Sequence, residues 1–265
     1  MGSPGRWPHH IKKRDFELAE LKLMVDAVQS SKFITVTKSD ELIKKLSKLT
    51  SRENAKQLKR QIFIYNRPKT GNETIYANVD AIHEAINSNK QVSFSYCEWT
   101  VKKELKQRKD GEKYKVSPWS LTWDDENYYL VAYDKKADKI KHYRVDKMEK
   151  IKLLPDRREG KEQFSGFDLA AFSKKTFGMY GGEDVKVSLY CENHLAGVII
   201  DRFGKDVIMI PKGDNHFSVS VLVAVSTQFY GWITGIGTGI KISGPEYVKK
   251  QYAEYLSKIS ELYND

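Results

Sequence analysis

A change of hydrophobic period along the chain limits its possible folds more than any other feature of the sequence. Between residues 14 and 61, apolar residues recur at steps of three and four, which is the spacing of amphipathic helices. Between residues 91 and 154 the spacing becomes two, which is typical of strands with one buried face. From residue 184 onward, strand-like and helix-like stretches alternate. The sequence therefore predicts an α+β chain with a helical part, a β part and a mixed part.

The helical part is expected to be a connector, because its three short helices without strands are too brief for an independent enzyme. The stretch from Lys59 to Ala77 indicates a linker, since it contains Asn66-Arg-Pro-Lys-Thr-Gly71. The first ten residues have no hydrophobic core, so they do not predict a signal peptide. The predicted boundaries are residues 1–13 for a leader or cloning remnant, 14–77 for the connector and linker, 78–156 for the β domain, 157–183 for a linker with a short helix, and 184–265 for the C-terminal domain.

The β part is predicted to be a small closed or nearly closed barrel. A helix capped by Asn78 or Asp80 is expected in front of it. Residues 101–107 are predicted to pair with residues 114–121 across the turn Lys109-Asp-Gly111. Further short strands are expected at residues 127–133, 140–145 and 149–154. A helix followed by such a meander favours a barrel.

The C-terminal part is predicted to follow the order βαββαβ and to end in an additional helix. Strands are expected at residues 184–191, 206–210, 215–225 and 239–243, with helices at 193–203 and 227–235 and a last helix from Pro245. This order is that of a ferredoxin-like unit, in which an antiparallel sheet carries its helices on one face. The last helix has an apolar stripe that indicates packing or, alternatively, a dimer contact.

The net charge of +10 favours an anionic partner. Basic residues are concentrated between Lys135 and Lys152, where eight of them stand against three acids. A lysine-rich face that only keeps a barrel solvated is the alternative. His142, Tyr143 and Arg144 are interleaved with these lysines, and this favours a ligand that carries phosphate.

Several classes of protein do not fit the sequence. No stretch of about 18 apolar residues is present, so no membrane span is predicted. Cys97 and Cys191 are the only cysteines, and they predict a reduced cytoplasmic protein and no disulfide framework. The histidines lack the spacing of a metal site, and Gly235-Ile-Gly-Thr-Gly239 lacks the lysine of a phosphate loop. The sequence therefore predicts no enzyme, no metal and no cofactor.

Motifs in both β-containing parts resemble one family. Residues 91–154 resemble the WYL domain, whose Trp-Tyr-Leu run stands here as Tyr128-Tyr129-Leu130, between Val116-Ser-Pro-Trp-Ser-Leu121 and His142-Tyr-Arg-Val-Asp-Lys-Met148. Residues 184–263 resemble the extension that often follows this domain, through Asp201-Arg-Phe-Gly204, Trp232-Ile-Thr-Gly-Ile-Gly237 and Ile242-Ser-Gly-Pro245. The helical part is similar to the connector of bacterial WYL regulators.

The resemblance implies a bacterial transcriptional regulator with a small Sm/SH3-like barrel and a ferredoxin-like C-terminal domain. In such proteins the connector joins a winged helix-turn-helix to the barrel, and we expect that DNA-binding part to be missing before Arg14. Two residues depart from the family pattern. Tyr128 replaces the tryptophan, and Lys147 stands where arginine is common, which gives a point charge in place of a planar fork.

A ligand site is predicted on the strand that carries Arg144. Because side chains alternate along a strand, His142 and Arg144 point the same way and address one phosphate or one stacked base together. Lys141 and Lys147 are its basic neighbours.

Tyr96 and Tyr129 are expected to stack a base at the same site. The alternative is structural: Arg144 pairs with Asp146 or Asp124 to fix the barrel, and His142 is a half-buried strand residue.

Two functions follow from these observations. In the first, the chain is the ligand-sensing and homodimerising part of a bacterial regulator, and a nucleotide, nucleic-acid strand or similar anionic effector at the barrel controls DNA binding. In the second, the chain is a stand-alone accessory protein whose basic barrel binds single-stranded nucleic acid.

Overall fold

The computed structural model describes residues 15–60, 68–124, 126–165, 175–179 and 181–264. The predicted leader at residues 1–13 lies outside this part of the chain. The described residues form two compact units. The first runs to Lys136 and also contains Tyr143–Glu159, and the second comprises Ala137–His142 and the residues from Gly160 onward.

Three helices form a small core at the start of the first unit. They are α1 (Leu18–Ser30), α2 (Val36–Ser47) and α3 (Arg52–Arg60). Leu21 and Val25 of α1 pack with Ile43 of α2 and Leu58 of α3, as the spacing of three and four predicts. Thr35 accepts a hydrogen bond from the backbone of Lys38, which satisfies a free amide at the start of α2.

The helix in front of the sheet begins earlier than predicted. Helix α4 spans Ile75–Asn87, so Asn78 and Asp80 lie inside it and the predicted cap is wrong. Asn78 is only 4% exposed, and its Nδ2 donates to the carbonyl oxygen of Met148 at 2.7 Å. Its amide therefore makes a tertiary contact instead of a cap.

The strands of the first unit form a curled antiparallel sheet. The strand order is β2-β1-β3-β4-β5, with β6 on the other edge of β1. The strands are β1 (Lys90–Trp99), β2 (Leu105–Gln107), β3 (Tyr114–Asp124), β4 (Asn127–Asp134), β5 (Lys139–Arg144) and β6 (Met148–Arg157), and a 3-10 turn at Val145–Lys147 joins the last two.

The predicted pairing of residues 101–107 with residues 114–121 is wrong. Strand β2 pairs with the end of β1, with Trp99 opposite Leu105, while β3 pairs with the beginning of β1. A tight turn causes this difference, because Thr100 donates its backbone N–H to the carbonyl of Glu104 and Lys103 takes a positive φ of 62°. The turn directs residues 105–107 back along β1.

The core of this sheet is aromatic at its centre. The Phe94 ring stacks on Tyr114 at 5.5 Å and meets Tyr143 edge-on at 5.2 Å. Tyr143 and Val145 are buried, and Arg144 between them is not, as the alternation of side chains predicts. Arg144 therefore faces away from the core.

The second unit has the predicted βαββαβ order of elements. After α5 (Lys161–Phe164), the strands form a sheet in the order β10-β7-β9-β8. The elements are β7 (Glu183–Glu192), α6 (Ala196–Phe203), β8 (Met209–Lys212), β9 (His216–Val225), α7 (Thr227–Ile236), β10 (Ile240–Gly244) and α8 (Glu246–Glu261).

Alternation along the central strands gives this sheet two different faces. Val187, Leu189 and Cys191 of β7 are buried in one core with Ile199 of α6 and Phe229 of α7. The intervening residues of β7 point to the opposite face and are partly or fully exposed. Within the described part of the chain, no helix is both long enough and apolar enough to cross a membrane.

Candidate ligand-binding cleft

A cleft of about 550 Å³ lies within the first unit. Its walls come from three segments that are distant in sequence: residues 32–33 after α1, residues 68–72 before α4, and the sheet. The sheet contributes Trp99, Leu105 and Asn127 from strand ends, and Arg144, Asp146 and Lys147 from the end of β5 and the turn that follows.

Arg144 stands at the end of β5 and is held by Asp146. Its Nε donates to Oδ1 of Asp146 at 3.0 Å and its Nη2 donates to Oδ2 at 2.8 Å, so the pair is joined at two points. The hydrogen bond and the carboxylate charge raise the pKa of Arg144 further above its usual value, against the effect of burial. A guanidinium has five N–H donors, and donors that face away from Asp146 can still bind a phosphate.

Asn72 holds the backbone of Asp146 in place. Nδ2 of Asn72 donates to the carbonyl oxygen of Asp146 at 2.9 Å. Oδ1 of Asn72 accepts from the backbone and the hydroxyl of Thr74, at 2.9 and 2.6 Å. The turn that carries Asp146 and Lys147 is thus tied to the segment that leads into α4.

Lys147 differs from Arg144 and Lys32, which are both ion-paired. Its side chain is half-buried, and it forms no ion pair with a residue in the described ranges. An ammonium without a protein counter-charge is available to an anionic ligand.

The other two lysines of the cleft are already engaged. Nζ of Lys69 donates to the carbonyl oxygens of Val28, Ser31 and Ile34 and to the hydroxyl of Ser39, at 2.8–3.3 Å. It therefore closes the C-terminal end of α1, where a positive charge is favourable. Lys32 pairs with Glu126 at 2.7 Å.

Two aromatic side chains line the cleft and differ in how much of their surface is packed against other residues. The Phe33 ring packs on Tyr128 at 4.8 Å and edge-on against Trp123 at 5.7 Å, so it is part of the scaffold. Trp99 is 60% exposed at the end of β1. An exposed indole beside cations is a suitable surface for a planar ring.

The two tyrosines predicted to stack a base have other roles. The hydroxyl of Tyr96 accepts the backbone N–H of Arg144 at 3.1 Å, and its ring packs against Phe94 and Tyr143. Burial raises the pKa of Tyr96. Tyr129 is only 8% exposed, so its ring offers no free face to a base.

His142 and Lys141 do not line the cleft, and both belong to the second unit. Both side chains are half-buried. Burial lowers the pKa of His142 to about 4, so its imidazole is neutral at pH 7 and adds no positive charge for a phosphate.

The cleft thus combines Arg144 and Lys147, which the sequence predicted, with residues that it did not. Lys32, Lys69, Asn72 and Trp99 were missed. Lys69 and Asn72 lie in a stretch predicted to be a linker, and its composition does not indicate that it folds against the sheet. Trp99 did leave a signal, because a tryptophan at a strand end next to a polar turn is easily exposed.

Charge and shape define what the cleft can bind. Four cationic side chains and one carboxylate line it, so its charge is positive. The guanidinium and the ammonium of Lys147 suit phosphate oxygens, and the indole suits a ring. A ligand with a planar ring and at least one phosphate matches this combination.

Comparison with known families agrees with the motifs of the sheet. Residues 77–153 match the sequence model of the WYL domain. The chain contains a WYL domain. The match begins in α4 and ends in β6, so it includes Trp99, Arg144, Asp146 and Lys147 of the cleft. No curated protein sequence matches the chain.

Two solved structures are similar to the chain over most of its length. One is the proteasome accessory factor B/C (PafBC) of Arthrobacter aurescens, with 17% sequence identity, a TM-score of 0.33 and 94% of the chain covered. The chain spans 37% of that protein. The other is a CRISPR Cas-related protein, with 14% identity and a TM-score of 0.44, and the match covers 96% of the chain and 75% of that protein.

Proposed function

We propose that the WYL domain binds a nucleotide or a short nucleic-acid strand in the cleft, and that the chain is the ligand-sensing region of a homodimeric transcriptional regulator. The observation that carries this proposal is the meeting of Arg144, Lys147 and Trp99 around one cleft. In this role the chain binds its ligand and does not transform it.

The arrangement of charges supports a phosphate-bearing ligand. Lys69 and Lys32 are held by protein oxygens, whereas Lys147 has no such partner among the described residues. The guanidinium of Arg144 is oriented in advance by Asp146, which reduces the entropy lost when it binds a phosphate. The site thus offers one oriented guanidinium and one ammonium that forms no ion pair with a described residue.

The contacts around the cleft also support a sensing role. Asn72 joins the turn of Asp146 to the start of α4, and Lys69 joins the same segment to the end of α1. A ligand that moves Arg144 together with Asp146 would act on this segment and through it on the helical connector. Such coupling requires the ligand to favour one arrangement of the segment over the other.

The proposal includes a finer description of the two folds. A helix followed by a curled antiparallel sheet supports an Sm-like barrel for the WYL domain. The βαββαβ order, with strands arranged β10-β7-β9-β8, supports a ferredoxin-like second unit.

Equilibrium titration of the full chain tests the site. Fluorescently labelled nucleoside phosphates and ten-nucleotide single strands are titrated against the parent and against Trp99→Leu and Trp99→Phe. We expect the leucine variant to bind about fivefold or more weakly, because stacking is lost, and the phenylalanine variant to keep most of the affinity.

A double variant gives the decisive result. If Arg144→Ala and Lys147→Ala together leave the affinity for every nucleotide and strand unchanged, the cleft is not the binding site. The stand-alone accessory protein is the competing function. It would bind the ten-nucleotide strands but no nucleoside phosphate, so the two arms of the titration separate the functions.

A further inference from the structure

We propose that the outer face of the sheet in the second unit is a separate binding site for single-stranded nucleic acid. The outer face is defined here as the side of β7–β10 turned away from α6 and α7. The face adds a second site to the proposed function and does not depend on the cleft.

An aromatic platform stands on the two central strands of this face. Tyr190 of β7 stacks on His216 of β9, with ring centroids 4.8 Å apart and planes inclined by 23°. On the other side of Tyr190, Nζ of Lys241 on β10 lies 4.8 Å from the centre of its ring. Both side chains are only partly buried, so a base that displaces the Lys241 ammonium can stack on that face of Tyr190.

The register of the strands aligns these groups in rows across the sheet. Lys241 lies opposite Tyr190, Tyr190 opposite Ser218, and Ser218 opposite Ile210. The next row contains Ser188 and Ser220, whose hydroxyl oxygens are 3.1 Å apart. A nucleic-acid strand that crosses the sheet therefore meets a cation, an aromatic ring and hydroxyl groups in succession.

Lysines outnumber acids on this face. Lys186, Lys212 and Lys241 are exposed, and none of them forms an ion pair with a described residue. Of the acids on this side, Asp184 pairs with Lys175, Glu192 contacts Nδ1 of His194 at 3.3 Å, and Asp206 lines the adjoining groove. Unpaired lysines beside aromatic rings are the combination that single-stranded nucleic acid requires.

A groove with exposed apolar side chains lies at one end of the face. This groove of about 560 Å³ is lined by Ile208, Ile210 and Leu222, with Lys186 and Asp206 as its charged neighbours. Ile208 is 76% exposed, and Ile210 and Leu222 are each 53% exposed. Bases bury their apolar faces in such a groove while their phosphates remain near the lysines.

The same features argue against a second copy of the chain as the occupant. A symmetric contact would bring the three lysines of one face against those of the other, and like charges in close apposition repel. An acidic peptide satisfies the lysines but leaves the stacked rings unused. Nucleic acid satisfies both.

Binding of a labelled ten-nucleotide uridine or thymidine strand to the full chain tests the site. We expect Tyr190→Leu to raise Kd about fivefold or more, and Tyr190→Phe to keep the affinity of the parent. Lys241→Gln should reduce the slope of log affinity against log salt by about 0.7, the value for one phosphate contact on a single strand.

Controls and crosslinking separate this site from the cleft. Tyr263→Leu and Lys250→Gln remove the same groups from exposed positions off the face, and neither should change binding. Strands with photoreactive uracil should crosslink to the peptides of Tyr190 or His216, whether or not the cleft variants lose binding. The proposal is overturned if Tyr190→Leu and Lys241→Gln both bind as the parent does, or if the photoreactive strand crosslinks only at Trp99.

Discussion

Arg144 and Asp146 form an ion pair joined at two points at the wall of the cleft, with N–O distances of 3.0 and 2.8 Å. The pair orients the guanidinium but also places a carboxylate where a phosphate would bind. An anionic ligand that binds the remaining donors of Arg144 is therefore repelled by Asp146.

Asp146→Asn is expected to strengthen the binding of an anionic ligand about fivefold, since a negative charge about 4 Å from a ligand contributes roughly 1 kcal/mol of repulsion. The free energy of unfolding should fall by no more than about 1 kcal/mol, because the pair is partly exposed. Isothermal titration and urea denaturation measure the two effects. Asp156→Asn, which removes an exposed carboxylate paired with Lys115, is the control. An equal gain in that variant would mean that only net charge matters.

Lys147→Ala is expected to weaken binding of a single strand about fivefold and to reduce the dependence of log affinity on log salt by about 0.7. Lys147→Arg should retain affinity, because the charge remains and a planar fork is gained. Fluorescence anisotropy over a range of salt concentrations provides the measurement. Lys152→Ala removes an exposed lysine of β6 outside the cleft and should change little. A larger loss of affinity in Lys152→Ala than in Lys147→Ala would show that exposed lysines outside the cleft bind the phosphates.

Asn78→Ala is expected to lower the free energy of unfolding by about 1–3 kcal/mol, because the carbonyl of Met148 loses a buried donor. Urea denaturation followed by circular dichroism measures this change. Asn87→Ala, at an exposed position of the same helix, should stay within about 0.5 kcal/mol of the parent. Similar losses in both variants would show that helix propensity, and not the hydrogen bond, sets the value.

The stability of the protein is expected to fall between pH 7 and pH 5 by roughly 2 kcal/mol on account of His142. Burial lowers its pKa to about 4, while the unfolded chain retains a value near 6.5. The unfolded state thus binds a proton first as the pH falls, so the contribution is fully present above about pH 6.5 and is lost as the pH falls toward 4. Urea denaturation of the parent and of His142→Gln at both pH values isolates this residue. Equal pH dependence in the two proteins would contradict the assignment.

The positions of most helices and strands along the chain could be predicted from the sequence, because hydrophobic period is a local property. Strand β7 lies at Glu183–Glu192, where alternation predicted residues 184–191, and α7 lies at Thr227–Ile236, where residues 227–235 were predicted. The mixed α+β class is confirmed. The inward orientation of Tyr143 and the outward orientation of Arg144 also follow from the two-residue repeat alone.

The pairing of β2 with β1 and the composition of the cleft were decided by tertiary structure. The alternation of residues 105–107 is compatible with pairing to β1 or to β3, and the turn after Trp99 directs them to β1. Lys69 and Asn72 lie in a stretch with the composition of a linker, yet long-range contacts fix both. Sequence determined which residues face outward and which family motifs they carry. Only the fold decided which cation meets which oxygen, because hydrogen bonds and ion pairs depend on distances between atoms that are far apart in the chain.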